Sequence, residues 1–266
     1  MAEWLIAVIL GVVEGVTEFL PISSTGHLIL AGHLLGFTGE RAATFEVFIQ
    51  LGAILAIVVL YKNTFLRLFA RGYTRGVIGT HGMMLLALTT LPILVSGFLL
   101  HRLIKTYLFH SPLVVALGLG VGGVAIVLIE RWRPRPTLYG LNTLRWQDAL
   151  MIGLFQCLAL WPGTSRAAAT ILGGMLIGLE RKTAAEYSFL AAVPALCAAV
   201  VYDMYKSRNL LHASDLEMFA LGFVVAFLAA ILTVRGFIRL LGSYTLRGFG
   251  WYRIVVALGI LILLGA

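Results

Sequence analysis

Long uninterrupted apolar segments constrain this chain more than any other feature. Each is about long enough for a helix to cross the ~30 Å hydrocarbon core of a bilayer, and they lie at residues 45–62, 83–100, 112–130, 185–203, 216–234 and 251–265. Their apolar residues are continuous rather than alternating, which predicts helices and not barrel strands. Only 12% of the residues are charged, about half the share in soluble domains. We therefore expect an all-α integral membrane protein, with residues 1–266 forming a single membrane domain.

Two further apolar regions are interrupted. Residues 3–37 and 149–179 each contain two shorter apolar pieces separated by a polar break with a proline in it. Non-helical backbone is tolerated at membrane depth only where it is buried in protein or lines a cavity. Each region therefore predicts a re-entrant helix hairpin, and the expected fold is six transmembrane helices plus two re-entrant hairpins.

The two halves of the chain resemble each other at an offset of about 141 residues. The sequence LVVALG at 113–118 recurs as IVVALG at 254–259, and Pro21 lies opposite Pro162. Each half, about 1–130 and about 149–266, would hold one hairpin and three spans, joined by a linker at 131–148. Because three is odd, the second half must be inverted relative to the first. We expect an inverted-topology repeat, with a binding site where the two broken elements meet near the midplane.

The positive charge of the chain indicates topology rather than nucleic-acid binding. The net charge is +8, and the basic residues lie between the apolar segments, as the positive-inside rule expects. With loops 62–82, 130–148, 180–184 and 235–253 on one side, that side carries fourteen Lys and Arg residues, Arg253 among them, and the other side carries five. The richer side, which includes the linker, is predicted to be cytoplasmic.

The first break, residues 14–27 (EGVTEFLPISSTGH), collects carboxylates, hydroxyls and an imidazole. If the segment is helical up to Leu20, Glu14 and Glu18 are one turn apart and share a face. Pro21 then ends the helix, and the following SSTG sequence is typical of a turn and of a helix N-cap. His27 would lie in the first turn of the next helix.

The second break, residues 160–170 (LWPGTSRAAAT), carries complementary chemistry. Gly163, Thr164 and Ser165 precede a helix start, where exposed backbone N–H groups form a ready anion site. Arg166 adds a planar set of donors suited to phosphate oxygens.

Burial cost predicts that the two breaks face each other. A lone ionised side chain at the bilayer centre costs roughly 2.5–3.5 kcal/mol even on the lenient insertion scale. Glu14, Glu18 and Arg166 are therefore expected to pair with one another or to face a wet cavity rather than lipid.

The two breaks resemble the signature motifs of the bacterial undecaprenyl-diphosphate phosphatase family, also called UppP or BacA and associated with bacitracin resistance. Residues 14–27 and PGTSRxxxT at 162–170 carry the resemblance, which extends over essentially the whole chain. It implies hydrolysis of undecaprenyl diphosphate in the bacterial plasma (inner) membrane, with the site toward the periplasmic side, to recycle the lipid carrier for peptidoglycan synthesis. The chain departs from the family pattern SRSGxT, because Ala167 and Ala168 replace Ser and Gly.

Phosphoryl transfer needs a nucleophile, a base and neutralisation of the phosphate oxygens. In our hypothesis Arg166 binds the diphosphate, Ser24 attacks the terminal phosphorus, and His27, three residues further on, acts as base. Glu14 and Glu18 hold a divalent cation, Mg²⁺ or Ca²⁺, or orient His27. A water molecule positioned by Glu18 and His27 is a competing nucleophile. The residues expected at the substrate phosphates are Arg166, Ser165, Thr164, Gly163, Thr170, Ser23 and Thr25.

Other interpretations stay open at this point. Ser23, Ser24 and Thr25 could serve only as an N-cap. A polyprenyl-phosphate flippase or carrier could share the inverted-repeat architecture, although the nucleophile and base of the first break favour an enzyme. The expected partners are the lipid substrate and membrane lipids, with no nucleic acid. A run of glycines could pack helices within one chain or between the chains of a homodimer, namely Gly118, Gly120, Gly122 and Gly123.

Overall fold

The computed structural model describes residues 2–70, 76–103, 108, 112–208 and 215–263, and these residues are almost entirely helical. The α-helices in those ranges are α1 (Glu3–Thr17), α2 (Ser24–Leu35), α3 (Glu40–Leu60), α4 (Lys62–Arg67), α5 (Gly79–Leu103), α6 (Pro112–Trp132), α7 (Trp146–Gln156), α8 (Arg166–Leu176), α9 (Arg181–Ser207), α10 (Leu216–Leu241) and α11 (Arg247–Leu263). The prediction of an all-α integral membrane protein is confirmed.

Helices long and apolar enough to span a bilayer coincide with five of the six predicted spans. They are Glu40–Leu60, Gly79–Leu100, Leu113–Trp132, Arg181–Ser207 and Leu216–Leu241. The sixth predicted span, 251–265, falls on α11, of which 17 residues are described, and the end of that prediction lies outside the described residues. The short helix α4 was not predicted.

Equivalent helices of the two halves make matching contacts. Helix α1 lies against α10, and its counterpart α7 lies against α5. Each hairpin packs its own two helices together, α1 on α2 and α7 on α8. The halves meet where α3 packs on α9 and α6 packs on α11. This pairing brings the turns of both hairpins to the same region of the molecule.

Both breaks form the same local structure. Helix α1 ends at Thr17, with Glu18 still in helical conformation, so the helix stops slightly earlier than the predicted Leu20. Ser23 and Ser165 have φ values of 71° and 69° and are the non-glycine residues with positive φ in the described chain. Each caps the next helix, because the Ser23 hydroxyl accepts from the N–H of Gly26 and the Ser165 hydroxyl from that of Ala168. A residue other than glycine rarely adopts a positive φ. Its presence before both α2 and α8 therefore shows that the two breaks have the same backbone structure.

The glycine run of α6 is used within the chain. A Cβ atom at Gly118 would collide with the carbonyl oxygen of Pro162 in the second break, and one at Gly122 would collide with the guanidinium of Arg253. One at Gly123 would lie 2.7 Å from the carbonyl oxygen of Gly250. These glycines therefore allow α6 to approach the second break and α11 closely.

Two repeat-related arginines hold helix ends together. Arg41 contacts Glu3 at 2.8 Å and Asp215 at 2.7 Å. Arg181, which occupies the related position in the second half, contacts the buried Glu130 at 2.6 Å. Each arginine therefore reaches a carboxylate in the opposite half.

Candidate active site

The carboxylate of Glu18 is the point where the two breaks meet. It is only 7% exposed. The Ser24 hydroxyl donates to Oε2 at 2.5 Å, and Nη2 of Arg166 donates to Oε1 at 3.1 Å. A hydroxyl and a carboxylate of the first break and an arginine of the second break thus meet in the structure. Charge-assisted hydrogen bonds of this kind are among the strongest in proteins.

Arg166 is held on several sides. Its Nη1 donates to the backbone oxygen of Ser188 at 3.1 Å and to the hydroxyl of Ser188 at 3.4 Å. The Thr170 hydroxyl lies 2.5 Å from the Ser188 hydroxyl and also donates to the backbone oxygen of Arg166. The guanidinium carbon lies 5.7 Å from the centre of the Phe19 ring. Arg166 is therefore oriented before any substrate is bound.

Glu14 is completely buried one helical turn before Glu18. Neither of its carboxylate oxygens has a hydrogen-bond partner among the described residues. Gln156 occupies the related position in the second hairpin, and there Nε2 donates to the backbone oxygen of Thr89 at 2.8 Å. A buried polar atom without a partner costs about 1–3 kcal/mol, so the orphaned oxygens of Glu14 call for a functional explanation.

The hydrogen bonds of His27 go to Ser23 and Tyr252 and not to Ser24, so the expected pairing of His27 with Ser24 is corrected. Its Nδ1 lies 2.7 Å from the backbone oxygen of Ser23, which only accepts, so Nδ1 carries a hydrogen. In the neutral ring Nε2 is then an acceptor, and the Tyr252 hydroxyl donates to it at 2.7 Å. The two rings are nearly parallel, at 9°. Both nitrogens are therefore engaged, while the Ser24 hydroxyl donates to Glu18.

Several groups in the turn of the second break take part in hydrogen bonds within the protein. The N–H of Thr164 donates to the carbonyl oxygen of Trp161 at 3.1 Å. The carbonyl oxygens of Gly163 and Thr164 both accept from Arg253 at 2.9 Å. The Ser165 hydroxyl, besides its cap, donates to the carbonyl oxygen of Leu20 at 3.5 Å. Thr164 and Ser165 therefore use these groups to hold the turn together.

Thr25 is half-buried in the first turn of α2, directly after Ser24. The described residues contain no group of three or more His, Cys, Asp or Glu side chains that could hold a metal ion. Glu14 and Glu18 could therefore supply only part of the coordination of a cation, with oxygens of substrate or water completing it.

Comparison with known proteins identifies the family of this chain. A family model described as "Bacitracin resistance protein BacA" matches residues 7–259. A protein of Maridesulfovibrio salexigens named undecaprenyl-diphosphatase is 55% identical over 97% of both chains. Proteins of the same name from Solidesulfovibrio magneticus and Nitratidesulfovibrio vulgaris are 53% and 55% identical, again over 97% of each chain. This chain belongs to the BacA family.

The motif departure of this BacA-family chain lies in its core. Ala167 and Ala168 are 0% and 2% exposed and pack in the main apolar cluster. The N–H of Ala168 still donates to the Ser165 hydroxyl at 3.2 Å. The alanines therefore add small apolar side chains to the core while the helix cap is kept.

Sequence reasoning missed three residues of this BacA-family site. Ser188 is a buried hydroxyl within an apolar span, and that contrast was the available signal. Arg253 was counted with the cytoplasmic loops, which is wrong, because it lies within α11 and is fully buried. Its position inside the predicted span 251–265 was the available signal. Tyr252 falls within the predicted span 251–265, and no sequence feature indicated its contact with His27.

Proposed function

We propose that this protein hydrolyses undecaprenyl diphosphate to undecaprenyl phosphate and inorganic phosphate. Its similarity to proteins named undecaprenyl-diphosphatase covers 97% of the chain, and the BacA family model covers residues 7–259. The single observation that carries the chemistry is the Glu18 carboxylate, which contacts the Ser24 hydroxyl and the Arg166 guanidinium at once. The lipid product returns to the carrier pool for peptidoglycan synthesis.

The geometry supports Glu18 as the base for Ser24. As the Ser24 oxygen bonds to the terminal phosphorus, Glu18 takes its proton, and the bond to the bridging oxygen breaks to release undecaprenyl phosphate. Arg166 neutralises charge on the phosphate oxygens, exchanging its bond to Glu18 for the substrate. Water then attacks the phosphorus of the phosphoserine, and the bond to the Ser24 oxygen breaks. Glu18 returns its proton to that oxygen, and the protons of the water leave with inorganic phosphate.

Direct attack by water remains the competing version. Glu18 would then take the proton from water, and Ser24 would only orient the carboxylate through its 2.5 Å hydrogen bond. In this version His27 would act from its position beside Tyr252, whose hydroxyl donates to it. A Ser24→Ala variant separates the versions, since residual turnover favours water.

A divalent cation, Mg²⁺ or Ca²⁺, is the proposed cofactor. Glu14 and Glu18 would hold it, because hard cations prefer carboxylate oxygens and those of Glu14 have no other partner in the described part of the chain. When bound, such an ion would neutralise charge on the diphosphate.

The proposed membrane arrangement has six spans and two re-entrant hairpins in an inverted repeat. It is supported by the matched helix contacts of the two halves. The hairpin helices have 15, 12, 11 and 11 residues, too short to cross ~30 Å at 1.5 Å per residue. The site would open toward the periplasmic side of the bacterial inner membrane. Gly118, Gly122 and Gly123 of α6 pack within the chain, so a homodimer would need a surface that does not depend on these three glycines.

The test is release of inorganic phosphate from a C55 prenyl diphosphate by purified protein in detergent, with and without a chelator. We expect Arg166→Ala and Glu18→Gln to lose at least about 100-fold in kcat/KM, the typical effect of removing a preorganised charge partner. Glu130→Gln is the matched control, because Glu130 is also a buried carboxylate paired with an arginine. It lies 12 residues from Gly118 on α6, roughly 18 Å along the helix.

Glu130→Gln should therefore lose stability while keeping turnover within a few-fold of wild type. If folded wild-type protein binds the lipid and releases no phosphate with any divalent cation, the carrier function replaces the phosphatase.

A further inference from the structure

Arg253 connects α11 to both breaks. Its side chain is fully buried, and its nitrogens donate to five backbone oxygens. Two belong to α6, those of Leu119 at 3.2 Å and Gly118 at 2.9 Å. The others are Pro21 of the first break at 3.1 Å, and Gly163 and Thr164 of the second break, both at 2.9 Å.

The acceptors of Arg253 stand next to the reacting groups in the chain. Pro21 precedes Ser24 by three residues and follows Glu18 by three, and Thr164 precedes Arg166 by two. One guanidinium therefore contacts the backbone on both sides of the Glu18–Arg166 contact. All five donors of a guanidinium are fixed in one plane, so its hydrogen bonds restrict both the distance and the relative orientation of the breaks.

The space around Arg253 is shaped to its side chain. A Cβ atom at Gly122 would collide with its Nη2, and Cβ atoms at Gly118 and Gly163 would collide with neighbouring backbone oxygens. Its acceptors in the described residues are carbonyl oxygens and not carboxylates, so the full positive charge is kept beside the breaks. Burying an unneutralised cation is expensive, and no neutral side chain offers as many donors in one plane, so this cost indicates a role that needs the whole set of hydrogen bonds.

We propose that Arg253 is a positioning residue for the reaction. By holding the backbone of both breaks, it sets the separation between the Ser24–Glu18 pair and Arg166. This inference rests on the proposed phosphatase function for its kinetic test, and a second measurement below does not depend on activity.

The kinetic test is a double-mutant cycle between Arg253→Lys and Arg166→Lys. Lysine keeps the charge and loses the planar set of donors. If Arg253 positions Glu18 relative to Arg166, Arg253→Lys should lower kcat by about 10-fold or more in wild type and by less than about 3-fold in the Arg166→Lys background, as coupled sites behave. KM should change little. Equal losses in both backgrounds would overturn the proposal, because a general loss of stability lowers both alike.

Arg181→Lys is the matched control. It also changes a largely buried arginine that holds helix ends together, but it lies outside the breaks. We expect it to lower the melting temperature while leaving kcat within about 2-fold, since distant sites act independently. If Arg181→Lys couples to Arg166→Lys as strongly as Arg253→Lys does, the positioning role of Arg253 fails.

A structural readout keeps the inference separate from the enzyme function. The backbone oxygen of Leu20 lies 3.5 Å from the hydroxyl oxygen of Ser165. In a chain lacking Cys157 and Cys197, we would introduce Leu20→Cys and Ser165→Cys and join the two thiols with a short cross-linker. Arg253→Lys should slow this cross-linking at least about 3-fold, because the two breaks then move independently. An unchanged rate overturns the proposal whether or not the protein releases phosphate.

Discussion

At the scale of single residues, the site contains one carboxylate with hydrogen-bond partners and one without a partner among the described residues. Glu18 receives hydrogen bonds from Ser24 and Arg166, whereas Glu14 is buried with both oxygens unpartnered among the described residues. Natural proteins retain such a cost mainly where function requires it. The related Gln156 donates to a backbone oxygen through its Nε2, while its Oε1 also has no partner among the described residues.

Glu14→Gln tests this difference directly. The neutral amide removes the cost of burying a carboxylate, so we expect an unchanged or higher melting temperature. Turnover should fall by about 10-fold or more, since a charged ligand near the diphosphate is lost. Melting curves and phosphate release across a series of Mg²⁺ concentrations measure both. Unchanged turnover and cation dependence would contradict a functional role for Glu14.

Tyr252→Phe tests the partner of His27. The variant removes the hydroxyl that donates to Nε2 and keeps the stacked ring. If Tyr252 acts by orienting His27, its effect on kcat should vanish once His27 is replaced by Gln. The double variant should therefore be no slower than His27→Gln alone. If the losses in kcat of the two single variants multiply in the double variant, as measured by phosphate release, Tyr252 acts independently of His27.

At the scale of helices, the glycines of α6 allow this helix to pack closely against the second break and against α11. Gly118 lets the helix pack on the carbonyl oxygen of Pro162, and its own oxygen accepts from Arg253. Its sequence counterpart Gly259, in α11, has open space where a Cβ atom would lie, with no atom of the described residues within 4 Å. The same motif in two halves therefore carries a packing constraint in one helix and none in the other.

Gly118→Ala and Gly259→Ala form a matched pair. The first should lower the melting temperature and the turnover, because the added methyl group displaces the second break. The second should be neutral or stabilising by up to about 1 kcal/mol, since alanine is favoured over glycine within a helix. Thermal unfolding in detergent and phosphate release measure both effects. Equal responses would mean that the contact with the second break carries no constraint.

At the scale of the whole molecule, the two halves meet through matched pairs of helices. Helix α3 packs on α9, and α6 on α11, while Arg41 and Arg181 each reach a carboxylate in the opposite half. An inverted repeat places equivalent loops on opposite sides of the membrane. The proposed topology therefore makes a prediction about loops far from the site.

Cysteine labelling measures this topology. In a chain lacking Cys157 and Cys197, we expect Thr38→Cys to react with an impermeant thiol reagent from outside intact cells. Tyr139→Cys, which is in the linker and exposed, should react only after the membrane is opened, because the proposed topology places the basic loops in the cytoplasm. Labelling of both from the same side would contradict the inverted arrangement.

Much of the fold and part of the site were predictable from local patterns. Hydropathy located the helices of both hairpins and five spans, and the cost of buried charge predicted that Glu18 would meet Arg166. Their partners were less predictable: Ser24 contacts Glu18 rather than His27, and Arg166 contacts Ser188. Which of these contacts forms depends on how each helix is rotated about its own axis. Sequence spacing alone did not distinguish Glu18, six residues before Ser24, from His27, three residues after it, as the partner of Ser24.

The sequence by itself determined that this chain is a helical membrane protein with two polar breaks, because apolar length and the cost of charge in lipid are properties of local composition. Only the tertiary structure decided what joins the breaks. Arg253 near the start of an apolar segment resembles an ordinary cytoplasmic charge, yet the packing of α11 on α6 buries it beneath five carbonyl oxygens. Those acceptors lie 89 to 232 residues away, and contacts at that separation arise from how helices pack, not from sequence spacing.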